Sequence, residues 1–215
     1  IMRILMIFQL APLPPPLDMG PAKRNYPFLR ENLKRHEVSV LSFGSPGEEN
    51  IFRERHGNDC KSIRFINFKR PRIINIFWRL YLFITFQSTF RIVYRRQMQK
   101  AIDELTSGED FDIIHCCFEM FGYYRFPSKP LLVGDTHNVE YDIVYLMYKQ
   151  SKNLFWKIYN YQAYKLGKRD EIKSLNKFDA IITTTKNDSD KFREDIKEKP
   201  IFTIQNGVDT MFFEK

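Results

Sequence analysis

Short apolar runs alternate with longer segments of helical periodicity along the whole chain. The runs cover Met2–Phe8, Glu37–Phe43, Ser62–Phe68, Phe111–His115, Leu131–Asp135, Phe178–Thr183 and Ile201–Ile204. Runs of this length suit strands inside a parallel sheet, and parallel strands need helical crossovers between them. The pattern predicts an α/β fold, namely a Rossmann-like three-layer sandwich with a mostly parallel sheet of about seven strands.

The segments between these runs predict the helices. Pro27 can occupy a first helical turn, with an apolar stripe that continues to His36. A long helical region is expected after the third strand, and further helices over Leu154–Asn176 and Asn187–Lys197. Gly44 to Asp59 contains three glycines and a proline, so we expect a loop there.

The fifth apolar run stops abruptly in a cluster of polar side chains. Gly134, which leaves room for close approach, is followed by Asp135, His137, Asn138 and Glu140. Open α/β sheets bind ligands at the carboxyl ends of their strands, so these residues are candidates for a site. Asn138 is then the expected N-cap of the next helix, with Glu140 in its first turn. The alternative is a simple turn with a structural histidine.

Several motifs carry a family resemblance through their order along the chain. The first strand (MRILMIF) leads to a loop with Gly20 and Pro21, His36 precedes Glu37 and Val38 in the second strand, and an NGVD segment begins at Asn206. This order resembles the acceptor-side, N-terminal domain of GT-B glycosyltransferases, in glycosyltransferase family four, also called the group 1 transferases. Two departures are Pro21 in place of a second glycine and Arg35 before His36.

The resemblance implies a function and a division into domains. It implies the acceptor-binding half of a retaining glycosyltransferase, which transfers sugar from a nucleotide-sugar donor to a glycan or lipid-linked acceptor. Residues 1–205 would form this domain and 206–215 the start of a linker. The family holds its donor mainly in a second domain, so we expect this chain to be inactive alone. The alternative is a noncatalytic membrane-binding or acceptor-binding module with the same fold.

The resemblance also implies roles for particular residues. His137 would lie near the donor sugar and its scissile bond, and Asp135 or Glu140 would orient His137 or an acceptor hydroxyl. Gly20 and Lys23 are the expected contacts of the donor diphosphate, although Lys23 also suits a solvated helix face. Thr184 and Thr185 should face the inter-domain cleft, unless Thr185 merely caps a helix. No cofactor and no metal site is expected, since Cys60, Cys116 and Cys117 lack zinc-ligand spacing.

Positive charge is concentrated in one segment of the sequence. Ten basic residues and no acidic residue lie between Cys60 and Ile102, whereas the net charge of the whole chain is +8. The same segment contains an apolar, aromatic stretch from Ile73 to Phe86. Only eleven uncharged residues separate Arg79 from Arg91, far fewer than the roughly 20 apolar residues that a spanning helix needs.

This segment predicts a peripheral contact with an anionic membrane surface through residues 69–100. Interfacial helices combine an apolar face, aromatic anchors and flanking cations in this way. The alternative is a core helix with a solvated basic flank. Nucleic acid is not the expected partner, because no recognition-helix or RNP-like motif is present. The chain is therefore expected to be cytoplasmic, with peripheral attachment at the inner face of the membrane.

Overall fold

A single parallel sheet organises the protein. The computed structural model describes residues 1–14, 20–68 and 72–207. Within them the strands are β1 (Arg3–Phe8), β2 (Glu37–Phe43), β3 (Ser62–Ile66), β4 (Ile113–Cys117), β5 (Leu131–Asp135), β6 (Ala180–Thr183) and β7 (Ile201–Thr203). Every neighbouring pair is parallel, in the order β3-β2-β1-β4-β5-β6-β7. The predicted fold class is confirmed, and the sheet in the described residues is parallel throughout.

The strand order places a natural crevice at one edge of the sheet. The chain moves outward from β1 through β2 to β3, then returns to the other side of β1 with β4 and continues to β7. The connections that follow β1 and β4 therefore diverge, which leaves room for a ligand beyond the carboxyl ends of the central strands. The polar residues after β5 lie at this edge.

Helices cover both faces of the sheet. They are α1 (Ala22–Leu33), α2 (Pro46–His56), α3 (Arg72–Ile84), α4 (Arg96–Gly108), α5 (Glu140–Gln150), α6 (Leu154–Leu175) and α7 (Lys186–Asp195), with 3₁₀ turns at Thr89–Val93 and Glu119–Tyr123. Alternation along β1 sends Leu5 and Ile7 into one buried cluster, and Met6 and Phe8 into the other. Two cores, one on each face, therefore share the same strands.

Gly134 marks a close approach on one of these faces. A Cβ atom on Gly134 would meet the Phe178 ring at 2.5 Å. A larger residue in β5 would therefore displace the ring from the core.

The first two helices differ from the sequence prediction. α1 begins at Ala22, five residues before the expected start at Pro27, which instead lies inside the helix. The segment predicted to be a loop contains α2, because Ser45 and Glu48 form a reciprocal capping box and Pro46 occupies the first turn. Glycine content alone was a misleading signal there, since Gly47 and Gly57 lie at the ends of the helix.

The remaining helical predictions are correct in outline. The long region after β3 is divided into α3, the 3₁₀ turn at Thr89–Val93 and α4. The left-handed backbone of Phe86, with φ of 52°, lies in the break after α3. The predicted helices over 154–176 and 187–197 correspond to α6 and α7.

A buried carboxylate caps α5 in place of the expected Asn138. The residue before the helix is Val139, which provides no side-chain cap. Instead the Glu171 carboxylate accepts hydrogen bonds from the backbone N–H groups of Glu140 at 3.1 Å and Tyr141 at 2.9 Å. These bonds satisfy two of the N–H groups that a helix start leaves free. They also attach the end of the polar loop after β5 to α6, on which Glu171 lies.

Glu171 lies near a second buried acid, Glu119, whose two carboxylate oxygens have no hydrogen-bond partner among the described residues. Burial raises the pKa of Glu171 to about 8, against the two backbone donors, which lower it. Burial, followed by the charge of Glu171, raises the pKa of Glu119 well above its usual range. Glu119 is therefore protonated at neutral pH, because two adjacent buried carboxylates cannot both ionise at low cost.

This arrangement predicts a pH dependence of stability. In the unfolded chain both acids ionise near their ordinary pKa, so folding takes up protons between about pH 5 and 8 and stability falls as pH rises. For Glu119→Gln, the gain in free energy of unfolding over the wild type should grow with pH, by up to about 1.4 kcal/mol per pH unit. Urea unfolding across this pH range measures the difference. The exposed Glu194→Gln is the matched control, and a pH-independent difference for Glu119→Gln would contradict the account.

Candidate functional site

Three segments meet in a cleft at the carboxyl edge of the sheet. They are the loop and helix start that follow β1, the loop after β5 and the segment after β7. The cleft, called the site cleft below, has a volume of about 360 Å³ and is lined by Gly20, Pro21, Lys23, Arg24, His137, Asn138, Asn206 and Gly207. Residues far apart in the sequence, including the predicted Gly20, Lys23 and His137, are therefore brought together.

The wall formed by α1 is electropositive. Gly20 has a φ of +47°, a left-handed conformation that glycine adopts without strain, and its carbonyl accepts a hydrogen bond from the Lys23 N–H. The first turn of α1 contains no acidic residue and has no side-chain cap. The helix start and the exposed Lys23 together favour an anionic group in the cleft.

Beneath this wall lies a buried ion pair between Arg24 and Asp135. The Arg24 Nη2 and Nε atoms donate to the Asp135 carboxylate at 3.0 to 3.2 Å, and the two side chains are 3% and 0% exposed. Arg24 Nη1 also donates to the Ile204 carbonyl at 2.7 Å and to Asn206 Oδ1 at 2.9 Å. One guanidinium thus joins α1, the end of β5 and the segment after β7.

Asp135 is therefore fully engaged with a cation. It was expected to orient His137 or an acceptor hydroxyl, and it lies below the cleft surface, in contact with Arg24. The buried His115 has its Nε2 atom 4.0 Å from the Asp135 carboxylate. Burial lowers the pKa of His115, although Asp135 acts in the opposite direction, so Arg24 is the principal counterion of this carboxylate.

His137, from the loop after β5, also lines the site cleft. Its Nε2 atom is 3.3 Å from the Cys117 carbonyl, and its own carbonyl accepts a hydrogen bond from Thr184 Oγ1 at 3.1 Å. Burial lowers the pKa of His137, so the ring is neutral at physiological pH. Because a carbonyl oxygen only accepts, Nε2 carries the hydrogen, and Nδ1 is left as a hydrogen-bond acceptor.

The other predicted residues lie around the cleft rather than in its lining. Thr184 holds the His137 loop through the bond just described and contacts Asp188 Oδ2 at 3.2 Å. Thr185 accepts from the Asp188 N–H and is the N-cap of α7, which was the alternative considered for it. Glu140 is half-buried at the start of α5, and burial raises its pKa, whereas a hydrogen bond with Asn138 lowers it.

Sequence reasoning missed Arg24. The residue lies in a basic pair with Lys23, a pattern that usually marks a solvated helix face, and the helix was predicted to begin only at Pro27. The useful signal was the lone aspartate at the end of a buried strand, since a carboxylate that stays ionised when buried is often paired with a cation. Among the described residues, no group of three or more His, Cys, Asp or Glu is arranged to hold a metal ion.

Comparison with solved structures shows the fold. The N-terminal domain of a trehalose-6-phosphate phosphatase from Candida albicans superposes with a TM-score of 0.54 at 14% identity, over 99% of this chain and 50% of that one. UGT89C1 of Arabidopsis thaliana, complexed with UDP-L-rhamnose, gives a TM-score of 0.45 at 13% identity, over 94% of this chain and 48% of that one. The chain therefore spans about half the length of the structures it matches. No curated protein sequence is a significant match.

The family comparison covers most of the sequence. The model of Glycosyltransferase Family 4 matches residues 28–212. This range runs from α1 to the segment after β7 and includes the loop with His137 and Asn138. The resemblance found in the order of the motifs is thus confirmed, and the chain belongs to glycosyltransferase family 4.

Proposed function

We propose that this chain is the acceptor-binding half of a retaining glycosyltransferase that transfers sugar from a nucleotide-sugar donor to a glycan or lipid-linked acceptor. The observation that carries the proposal is the site cleft, which is lined both by a neutral histidine and by an electropositive helix start. The cleft lies at the carboxyl edge of the sheet, in a member of a glycosyltransferase family. This arrangement suits a sugar bonded to a diphosphate.

His137 supplies the sugar end of this arrangement. In the neutral ring with the hydrogen on Nε2, the Nδ1 lone pair can accept a hydrogen bond from a hydroxyl group of the donor sugar. The bonds to Cys117 and Thr184 hold the residue in place before a ligand arrives. A ring fixed in advance adds little reorganisation cost to binding.

The start of α1 supplies the phosphate end. Gly20 lets the backbone turn close to the cleft, and Lys23 provides a cation that no described ion pair neutralises. Arg24 is already neutralised by Asp135, so in this proposal the pair positions the cleft walls and leaves phosphate binding to Lys23 and the helix start. As the bond from the sugar to the diphosphate breaks, these groups oppose the negative charge that develops on the leaving group.

A second domain completes the proposed enzyme. The Candida albicans structure that the chain matches is about twice as long as this chain. We place the main donor contacts in a domain that faces the cleft and expect no sugar transfer by the chain alone. A noncatalytic module with the same fold is the alternative, and it predicts acceptor or membrane binding without a transferase function in the complete protein.

An exposed apolar surface supports membrane attachment as part of the same proposal. Its members on α3 are about half to two-thirds exposed, namely Ile73, Ile74, Ile76, Phe77, Leu80 and Ile84. The neighbouring start of α6 adds Leu154, Phe155, Trp156 and Ile158. Phe83 and Tyr159 join the two helices with ring centroids 5.3 Å apart. We call this the apolar surface. Such a patch, beside a segment rich in cations, suits an anionic bilayer.

Two further facts bear on this surface. No helix in the described ranges has the length and hydropathy that crossing a bilayer requires. Lys69 and Arg70, at the start of the predicted membrane segment, lie outside the described residues. The proposed contact is therefore an interfacial one made by α3 and the start of α6.

The first prediction concerns His137. In the chain joined to its donor-binding domain, His137→Ala should lower kcat/KM by roughly tenfold or more, because one positioned hydrogen bond is lost. Removing the sugar hydroxyl that His137 contacts should lose the same hydrogen bond. The donor that lacks this hydroxyl should therefore react equally well with the variant and the wild type. Steady-state kinetics with a series of deoxy donors tests this. Losses that add for every deoxy donor would remove His137 from the site.

The second prediction concerns the apolar surface. Phe77→Asp should weaken binding to vesicles that contain phosphatidylglycerol by about tenfold or more, because a charge replaces a side chain that would enter the interface. Ile51→Asp, on α2, is the control, since Ile51 is also exposed but lies outside the apolar surface. Cosedimentation measures both. Equal binding by Phe77→Asp and wild type would exclude α3 from the contact.

A further inference from the structure

A second cleft, larger than the site cleft, lies next to the apolar surface. Its volume is about 620 Å³, and it shares no lining residue with the site cleft. The lining consists of Trp78, Tyr81, Gln87, Arg91, Tyr94, Gln99, Gly122, Tyr123, Arg125, Lys173, Ser174 and Lys177. We call it the aromatic cleft. Its walls come from α3, the two 3₁₀ turns and the end of α6.

Positive charge dominates this cleft. Four cations and no acidic residue line it. Arg91 is paired with the buried Asp170 at 3.1 Å, whereas Arg125, Lys173 and Lys177 form no ion pair in the part of the chain that the structure describes. Burial lowers the pKa of Lys177, and the charges of Lys173 and Arg91 lower it further, as expected where like charges crowd together.

The neighbouring carboxylates do not neutralise these three cations. Asp170 also accepts from Arg169 at 3.0 Å and from Tyr123 at 3.5 Å. Asp179 borders an adjoining cleft with Arg125 and Lys177, and its Oδ2 accepts from the Leu132 N–H at 2.8 Å. Asp170 is thus paired with two arginines, whereas Asp179 keeps its charge and offsets at most one of the three cations. The aromatic cleft therefore keeps an excess of positive charge that an anion would offset.

Aromatic rings connect this charge to the apolar surface. Trp78 and Tyr81 stack with ring centroids 5.4 Å apart on α3, and both line the cleft. Ile76, Phe77 and Leu80 lie on the same helix and are exposed. A ligand that fills the cleft and continues onto the apolar surface therefore needs an anionic head and an apolar body. A neutral glycan could stack on the rings but would not offset the positive charge, and it would leave Ile76, Phe77 and Leu80 in water.

We infer that the aromatic cleft binds the phosphate headgroup of an anionic membrane phospholipid while the apolar surface contacts the acyl region. Arg125, Lys173 and Lys177 hold the phosphate, and Trp78 and Tyr81 lie at the level of the interface, where amphipathic rings are favoured. The inference rests on the proposed membrane attachment and adds a defined headgroup site to it. This site is separate from the one proposed for sugar transfer.

Tryptophan fluorescence can report on this cleft directly. The chain has two tryptophans, so Trp156→Phe leaves Trp78 as the single reporter. We expect saturable binding of monomeric dihexanoylphosphatidylglycerol to this protein and much weaker binding of dihexanoylphosphatidylcholine. Inorganic phosphate at matched ionic strength is the free-anion probe. Equal affinity for the neutral lipid, or for inorganic phosphate, would overturn the inference.

Charge variants distinguish a specific headgroup site from nonspecific electrostatic attraction. Arg125→Gln with Lys177→Gln should weaken binding of the anionic lipid roughly 10- to 30-fold, because two cations near the phosphate are lost. The matched control is Lys34→Gln with Lys129→Gln, which removes two exposed cations outside both the cleft and the predicted membrane segment. Similar losses in both double variants would show that only net charge matters and would contradict the site.

Vesicle binding separates this inference from the proposal on which it rests. The cleft double variant should lose its preference for phosphatidylglycerol vesicles over phosphatidylcholine vesicles, whereas Phe77→Asp should lose binding to both. If the wild type ignores anionic vesicles, the proposed membrane attachment is wrong. If the wild type binds them and the cleft variant retains the full preference, only the headgroup site is wrong.

Discussion

The buried ion pair between Arg24 and Asp135 is the interaction on which the site cleft depends. Its two groups come from α1 and from the end of β5, 111 positions apart, and the same guanidinium reaches Ile204 and Asn206 after β7. Removing two charges from water is costly and is compensated only when nearly every donor and acceptor is satisfied. The main contribution of the pair is therefore to fix the arrangement of the three segments. Apolar side chains of similar volume at the two positions would give a similar free energy of unfolding.

The ion pair also determines the electrostatic character of the cleft. Because Asp135 neutralises Arg24, the charge available to a ligand comes from Lys23 and the start of α1, and His137 remains neutral through burial. In the proposed function, the neutral histidine contacts a sugar hydroxyl and the helix start binds the diphosphate. In the aromatic cleft, by contrast, three cations without an ion pair among the described residues lie beside an apolar helix.

The sequence predicts the sheet well because its strands are short apolar runs with unambiguous ends, such as Leu131 to Asp135. It predicts the surroundings of the site less well. The helix α2 depends on a local capping box between Ser45 and Glu48, a signal that the glycines around it obscure. The roles of Arg24 and Glu171 depend on tertiary contacts with residues more than 25 positions away, which no local pattern contains. His137 follows the end of β5 by two residues, so the strand pattern predicts its place at the edge of the sheet, whereas Gly20 lies twelve residues after β1 and was expected in the cleft only through the family resemblance.

The most direct test of the account is a double-mutant cycle on Arg24 and Asp135, measured as free energies of unfolding in urea. We expect Arg24→Gln and Asp135→Asn each to destabilise the protein by about 3 to 5 kcal/mol, because each leaves a buried partner unpaired. The double variant should be more stable than the sum of the two losses implies, with a coupling energy on the order of 2 kcal/mol. Additive losses would show that the two side chains act independently and would contradict the claim that one ion pair organises the cleft.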